Sequence, residues 1–511
     1  MGVSEDRKFT RSQVDELLKK AVGRTLGEVD KEGSNQFERT SENKKITGIA
    51  GDVIEQSVFG YSRDSLQECD IEVDDKPIEI KTTGVRVPKK HLKLIKGKKW
   101  REYSPLFGAK EGISITAVTL EPDIQRDFHT SHFWKKAESL LLIFYEYKAY
   151  GTVDASDYQD FVIVGFDFHE FSDRDKLRLR NDWELVRNYL NPFYINFPPE
   201  ERREKLEGFT SILRPQLLLL ELVPAYKRKP SGSFQNPRYR LKKTFVDEIV
   251  RYNFNKTTKE DKIDAFSSFA ELDARCHDIT EKFAGKTLSQ LKEILLIDTD
   301  VNTKNFTSLC IIRMFGGKSA RLNDISDFRK AGIIAKTITL TPEGNRTEDM
   351  KMTRVDFSEW TDRDVDFEQS EIFNYFCEHS LLCPIFYENE ENNYTQTKFM
   401  GFKRFFFDDE FINREVRKTW IDSRRLIHSN ELKWEYKYDS QGNPMLNNSG
   451  TYAGSPNFPK SKDYIIFFRG GSMDSSIKGR TEIVNGIQML PQFIWLKGTY
   501  IAQRLRDLPY L

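Results

Sequence analysis

The chain has 511 residues, enough for two or three domains with sizeable cores. Its 79 Lys and Arg balance 79 Asp and Glu, so global charge gives no sign of nucleic acid and any basic surface must be local. A hydrophobic content of 38% with 13% aromatics excludes a disordered chain, and no apolar run approaches the roughly 20 residues of a membrane helix.

The N-terminus (MGVSEDRKFT) is polar and lacks the apolar core of a signal peptide. The cysteines at 69, 276, 310, 377 and 383 form no Cys-x-x-Cys pair, which points to reduced thiols in a cytoplasmic protein without a structural zinc site. The seven histidines have no paired-ligand spacing, so histidine metal ligands are not expected.

In chain order, the first informative stretch is 45–60 (KITGIAGDVIEQSVFG), which reads as an amphipathic helix with Ile49, Val53, Gln56 and Phe59 on or near one face. Glu55 falls among these apolar positions, where an unpaired carboxylate is costly. Asp70-Ile-Glu-Val73 reads as a strand, Asp74-Asp-Lys-Pro77 as a turn, and Ile78-Glu-Ile-Lys-Thr82 as the returning strand. Alternation sets Glu79 and Lys81 on one face with Ile80 toward the core, and Asp70 can lie beside Glu79. Two close carboxylates and an ammonium are what a Mg2+-dependent phosphodiesterase requires: the acids hold a hard cation against the phosphate, and the lysine orients or deprotonates the attacking water. The densest basic run follows at once, with Lys89, Lys90 and Lys93 leading to Arg101, where it can meet phosphates at the mouth of such a site. Leu140–Tyr147 then reads as a long strand, with further strand and helices behind it. The pattern is a mixed α/β (α+β) architecture.

The second half echoes the first. Ala21-Val-Gly-Arg-Thr-Leu-Gly-Glu is answered by Phe283-Ala-Gly-Lys-Thr-Leu-Ser-Gln, and Ile78–Thr82 by Ile333-Ile-Ala-Lys-Thr337. Ile143-Phe-Tyr-Glu146 matches Ile385-Phe-Tyr-Glu388, each after a Ser-Leu-Leu, and Asp182-Trp183 matches Thr419-Trp420. Ordered echoes of this kind predict two tandem copies of one fold, 1–255 and 256–511, with a seam near the polar stretch Arg251–Lys262. In the second copy Glu55 maps to Ile311, Glu79 to Ile334 and Lys136 to the neighbourhood of Glu378, while Asp327 and Lys336 persist. Two isoleucines cannot hold Mg2+, so the second half should not cut; its retained fold and terminal Arg469 predict a DNA-binding, effector role.

Together, Gly48-Ile-Ala-Gly51 with Glu55, Asp70, Glu79-Ile-Lys81, Lys136 in FWKKAESLLLIFYEY, Glu207-Gly-Phe-Thr-Ser-Ile-Leu-Arg214 and Tyr239-Arg-Leu-Lys-Lys243 resemble the MutH-like branch of the PD-(D/E)xK nucleases. That branch holds mismatch-repair nicking enzymes and tandem-domain type II restriction enzymes that cut at GATC. The resemblance implies that Asp70 and Glu79 ligate Mg2+, that Glu55 completes the metal site or positions Lys81, and that Lys136 supports the scissile phosphate. It also sets Arg214, Tyr239 and Lys242 near DNA. Cys69 departs from the family pattern, where proline often precedes the aspartate. A hairpin longer by two residues leaves Asp74 and Asp75 as alternative ligands, with Asp70 preferred because turn carboxylates usually face solvent. The implied activity is a type II restriction endonuclease on duplex DNA, dimerising on DNA or nicking twice, with a cognate DNA methyltransferase in the same system. The alternatives are a strand-nicking repair enzyme and a non-cleaving DNA-binding regulator.

Overall fold

The computed structural model describes residues 4–41, 48–61, 68–88, 91–118, 126–149, 153–206, 208–223, 236–255, 266–318, 322–346, 348–391, 393–447, 450–471 and 476–511. The chain divides into two compact units. The first takes Met1–Ala149, Val153–Leu272 and Asn323–Ile333; the second takes Asp273–Leu322 and Ile334–Leu511, with 150–152. Both are mixed α/β. Among the described residues no helix is long and apolar enough to cross a membrane.

The main sheet of the first unit is built from β1 (Lys8–Phe9), β2 (Ile71–Val73), β3 (Lys76–Arg86), β4 (Gly108–Ala109), β6 (Leu140–Glu146) and β7 (Ile163–His169), in the order β1-β2-β3-β6-β7 with β4 on β3. A smaller sheet runs β5 (Ile113–Ala117), β9 (Arg238–Leu241), β8 (Leu220–Val223). β6 is buried along its whole length, as its unbroken LLLIFYE run requires of a strand covered on both faces. Leu140, Leu142 and Phe144 pack with Trp183 of the helix Asp173–Asn196 and with the small sheet. Leu141, Ile143 and Tyr145 pack with the helices Arg11–Ala21 and Ile49–Val53 on the other side. β3 runs parallel to β6, Glu79 opposite Leu140 and Lys81 opposite Leu142, so the buried strand fixes where the chemistry-bearing residues stand.

In the second unit β13 (Ser380–Tyr387) is the central strand, joined by β10 (Ile333–Ala335), by β11 (Ile338–Leu340) in parallel and by β14 (Lys398–Phe406) antiparallel. A separate sheet runs β12 (Met350–Arg354), β20 (Gln492–Leu496), β17 (Ile466–Gly470). Two hairpins, β15 (Trp434–Tyr436) with β16 (Gly454–Pro456) and β18 (Glu482–Val484) with β19 (Ile487–Met489), complete its strands.

The division does not fall at a single cut near residue 255. The helix Ser326–Lys330 sits with the first unit because its charges are met there. Arg178, 1% exposed, gives Nη2 to Asp327 Oδ1 at 2.8 Å and Nη1 to Asp175 Oδ1 at 3.1 Å, and Lys330 Nζ reaches Asp175 Oδ2 at 2.9 Å. This corrects the expectation that Asp327 persists as the counterpart of Asp70: it lies on a helix, not before a strand, and its carboxylate is committed to Arg178.

Candidate active site

Three elements bring the expected side chains together. The first is the β2–β3 hairpin, in which Ile71 pairs with Ile78 and Val73 with Lys76. Its two-residue turn needs a positive φ at both centres, and Asp74 (48°) and Asp75 (64°) supply it, aspartate being among the residues that tolerate this region. Both are exposed, and Asp74 accepts the Arg11 backbone N–H at 3.3 Å. Asp70, just before β2, instead accepts the Ile80 N–H at 2.7 Å. Burial raises its carboxyl above the ordinary value and the Glu79 charge adds to this, opposed by Lys81 and Lys136. Of the three aspartates, Asp70 lies with the other site residues and the turn pair does not.

Glu79 is 4% exposed, and each of its oxygens meets an ammonium: Oε1 lies 2.7 Å from Lys81 Nζ and Oε2 lies 2.7 Å from Lys136 Nζ. Lys136 comes from the second element, the helix His132–Ala137, whose N-terminus is capped by the Ser131 hydroxyl. Its ammonium also donates to the Glu68 carbonyl. Burial works to lower Lys136, but Glu79 and Asp70 outweigh it and hold the ammonium above its ordinary value.

The third element is the stretch carrying Glu55. The helix Ile49–Val53 continues into a single π-helical turn, Ile54–Val58, an insertion that recurs at functional sites because it re-aims one side chain. A carbon added at Gly51 would stand 3.8 Å from Thr82 Oγ1 and 4.0 Å from Glu55 Oε1, so the carboxylate lies over β3. Burial raises Glu55 to about 7, Asp70 and Asp52 reinforce the shift, and Lys81 opposes it.

Sequence reasoning passed over Tyr61. Its ring is 3% exposed and its hydroxyl finds no hydrogen-bond partner among the described residues, while its backbone N–H reaches the Glu55 carbonyl at 3.4 Å. Burial, then Glu55 and Asp70, disfavour loss of its proton, so a phenol donor is held beside the acids. Its only trace in the sequence is its position just after the Glu55 helix.

The residues expected at DNA fare differently. Lys89 and Lys90 lie outside the described residues; Lys93 belongs to the short helix Leu92–Ile95. Arg214 opens the 3-10 turn Arg214–Gln216 and is half-buried. Tyr239 and Lys242 are interior, not surface, residues: Tyr239 is 4% exposed with its ring 5.0 Å from Phe133, and the Lys242 ammonium donates to the Leu217 carbonyl at 2.6 Å. Arg469, on β17, pairs with Asp349 at 2.6 Å and lies 4.6 Å over the Trp495 ring.

The central strands of the two units share a local feature: Phe144 faces Gly165 just before a β-bulge, and Ile385 faces Gly401 just before one. Phe144 pairs with Thr83 and Ile385 with Ile338, so an alignment of the strands on these bulges sets Lys336 against Lys81 and Ile334 against Glu79. Ile311 is fully buried on the helix Phe306–Met314.

Residues 59–182 match the family model described as DNA mismatch repair enzyme MutH, a span holding Asp70, Glu79, Lys81 and Lys136. That segment is MutH-like. In a separate comparison the whole chain is similar to the type II restriction enzyme Sau3AI of Staphylococcus aureus, 22% identical over 546 residues, covering 98% of this chain and 99% of the relative.

The donors fit a hard divalent cation. The charges of Asp70, Glu55 and Glu79 act on one another, and burial with this repulsion holds Glu55 and Asp70 above their ordinary values, a cost that such an ion would relieve. Among the described residues no three acids already stand at ligating separation, Glu79 being turned to its two lysines. Those ammoniums hold the carboxylate in place and must yield one oxygen to a cation.

Proposed function

We propose that this enzyme is a Mg2+-dependent type II restriction endonuclease that hydrolyses phosphodiester bonds of duplex DNA, with GATC the site its resemblance implies. The observation that carries the reading is the Glu79 carboxylate held between Lys81 and Lys136 beside Asp70 and Glu55. A protein that only bound DNA would gain nothing from acids facing phosphate. The reading has Asp70 and Glu79 hold the cation, with Glu55 completing the set. Bound there, Mg2+ supplies neutralisation of charge that develops on the phosphate. Lys81, freed from Glu79, orients the attacking water, whose proton passes to solvent, and Lys136 steadies the phosphate.

The two units are two copies of one fold in this reading, supported by the shared register and bulge of their central strands. The second copy, with Ile311 and Ile334 at the acid positions, binds DNA as an effector and does not cut. The match over 99% of a type II restriction enzyme favours restriction over single-strand nicking in repair. A cognate methyltransferase that protects the host site is the expected companion.

The test is incubation of unmethylated plasmid with wild type and Lys81→Ala, each with Mg2+ and with EDTA. Discrete fragments from wild type with Mg2+ alone are expected, and sequencing the ends gives the site. Cutting by the mutant overturns the assignment of this hairpin as the active site, and no cutting by wild type overturns the reading in favour of a DNA-binding regulator. One active site must sever two strands, so the protein dimerises on DNA or nicks twice. Sedimentation with and without a specific duplex distinguishes these; a monomer that cuts both strands in one encounter contradicts both.

A further inference from the structure

One face of β6 sends Leu140, Leu142 and Phe144 into the core, while Tyr145 and Tyr147 pack on the opposite side. Glu146 therefore continues the first face, at a place where an apolar side chain is expected. It is 7% exposed, and the partner it has is neutral: the Tyr103 hydroxyl donates to Oε1 at 2.7 Å. Among the described residues no lysine, arginine or histidine pairs with it. A buried carboxylate with one neutral donor can accept further hydrogen bonds and gains from them.

Glu146 lines a cavity of about 620 Å³ in the first unit, a size that holds a small molecule. Trp100, Tyr103 and Val162 share its lining, and so do the exposed cations Lys99, Arg101 and Lys148. The Arg101 guanidinium stands 4.9 Å from the centre of the Trp100 ring. The other acid of the lining, Glu102, is turned to the Lys99 backbone N–H at 2.8 Å. Among the described residues none of the three cations has a carboxylate partner. Val85 stands opposite Glu146 and Glu79 opposite Leu140, so the cavity lies about 20 Å along the strands from the catalytic acids.

We propose that this cavity binds a guanine nucleotide, with the base on Glu146 and Trp100 and the phosphate on the outer cations. Guanine presents two adjacent N–H donors, at N1 and N2, which a carboxylate accepts together. Thymine flanks its single N–H with carbonyl oxygens, which the same carboxylate repels. The Trp100 ring offers a face for stacking, and ammonium and guanidinium groups suit phosphate oxygens. A cationic ligand would satisfy Glu146 but meet repulsion from Lys99, Arg101 and Lys148; a simple anion would do the reverse. The nucleotide comes free or as an unpaired unit of a DNA strand, with one chemistry in either source. Binding needs neither metal nor cleavage, so it is scored apart from the nuclease reading.

The test is calorimetric titration of the full chain, in EDTA, with dGMP, TMP and deoxyguanosine. Binding of dGMP about tenfold or more tighter than TMP is expected, and Glu146→Gln should remove that preference. The Gln carbonyl still accepts the Tyr103 hydroxyl, so the fold is kept. Lys148→Met, at an exposed position, should weaken dGMP but not deoxyguanosine, which reads the phosphate end independently of Glu146. A labelled duplex with one unpaired guanine, followed by anisotropy, reports the strand source. Without binding of free dGMP, a gain over the fully paired duplex that Glu146→Gln abolishes keeps the site and assigns its ligand to DNA. Equal binding of dGMP and TMP, wild-type preference in Glu146→Gln, or no binding of dGMP together with no gain from the unpaired guanine overturns the site.

Discussion

Lys136 Nζ lies 2.7 Å from Glu79 Oε2, which ties the helix that precedes the central strand β6 to its neighbour β3. Because Glu79 is 4% exposed, this pair holds the fold and the site at once. Removal of one partner leaves a buried charge less compensated, so Lys136→Met is expected to lower stability by about 3 kcal/mol in EDTA. Urea unfolding with EDTA and with Mg2+ checks it. Mg2+ should recover part of the loss by taking over the freed oxygen; a mutant as stable as wild type in EDTA contradicts the pairing.

The pH response follows from Glu55. Its folded value of about 7 stands above the ordinary 4.5, so its protonated form contributes stability that is full below about 4.5 and is lost as pH rises through about 7. A cation requires the ionised form, so proton and Mg2+ compete. In EDTA, Tm should fall between about pH 4.5 and pH 7 and level off above that, and the Tm gain from added Mg2+ should grow over the same interval. Glu55→Gln should flatten both trends; a wild-type Mg2+ gain that does not vary with pH refutes the role.

Asp70 and Asp74 separate by position. Asp70→Asn is expected to abolish cleavage and weaken Mg2+ binding, because Asp70 shares the pocket with Glu79 and Glu55. Asp74→Asn, in the exposed turn, should cut within about twofold of wild type and lose only a small helix-cap contribution, about 1 kcal/mol or less. The reverse outcome would move the metal to the turn.

Asp182 accepts three backbone N–H groups, from Leu218 and Leu219 at 2.7 Å and Leu220 at 2.8 Å, and so binds the long helix Asp173–Asn196 to β8. Asp182→Ala strands three buried donors and should cost about 3 kcal/mol or more, with Asp182→Asn recovering part of it. Thermal unfolding measures both; equal effects of Ala and Asn would show that the donors are not what the carboxylate serves.

How far the sequence reached depends on the kind of residue. Asp70, Glu79 and Lys81 were legible because a hairpin turn and a two-residue period fix which side chains share a face. Tyr239 and Lys242 were not, since amphipathic side chains bury or expose themselves according to tertiary packing that no local period encodes. The Ile-Phe-Tyr-Glu match and the bulges differ by one residue: Ser380 stands five residues before Ile385 but Ser139 four before Ile143, and the bulge follows Ile385 in one strand and Phe144 in the other. Asp327 was assigned by spacing alone, and a buried partner distant in sequence, Arg178, claimed it. The π-helical turn at Glu55 also had no sequence signature, because a single turn of five residues is too short for its period to show.

The Arg178–Asp327 and Lys330–Asp175 pairs have a consequence for dissection of the molecule. A fragment that ends at residue 255 keeps Arg178 and Asp175 in its interior but discards Asp327 and Lys330, the groups that neutralise them. The halves are therefore interleaved along the chain and cannot be parted with a single scission. Co-expressed pieces, or a fusion that links 323–333 directly after residue 272, are the forms in which the first unit can stand by itself.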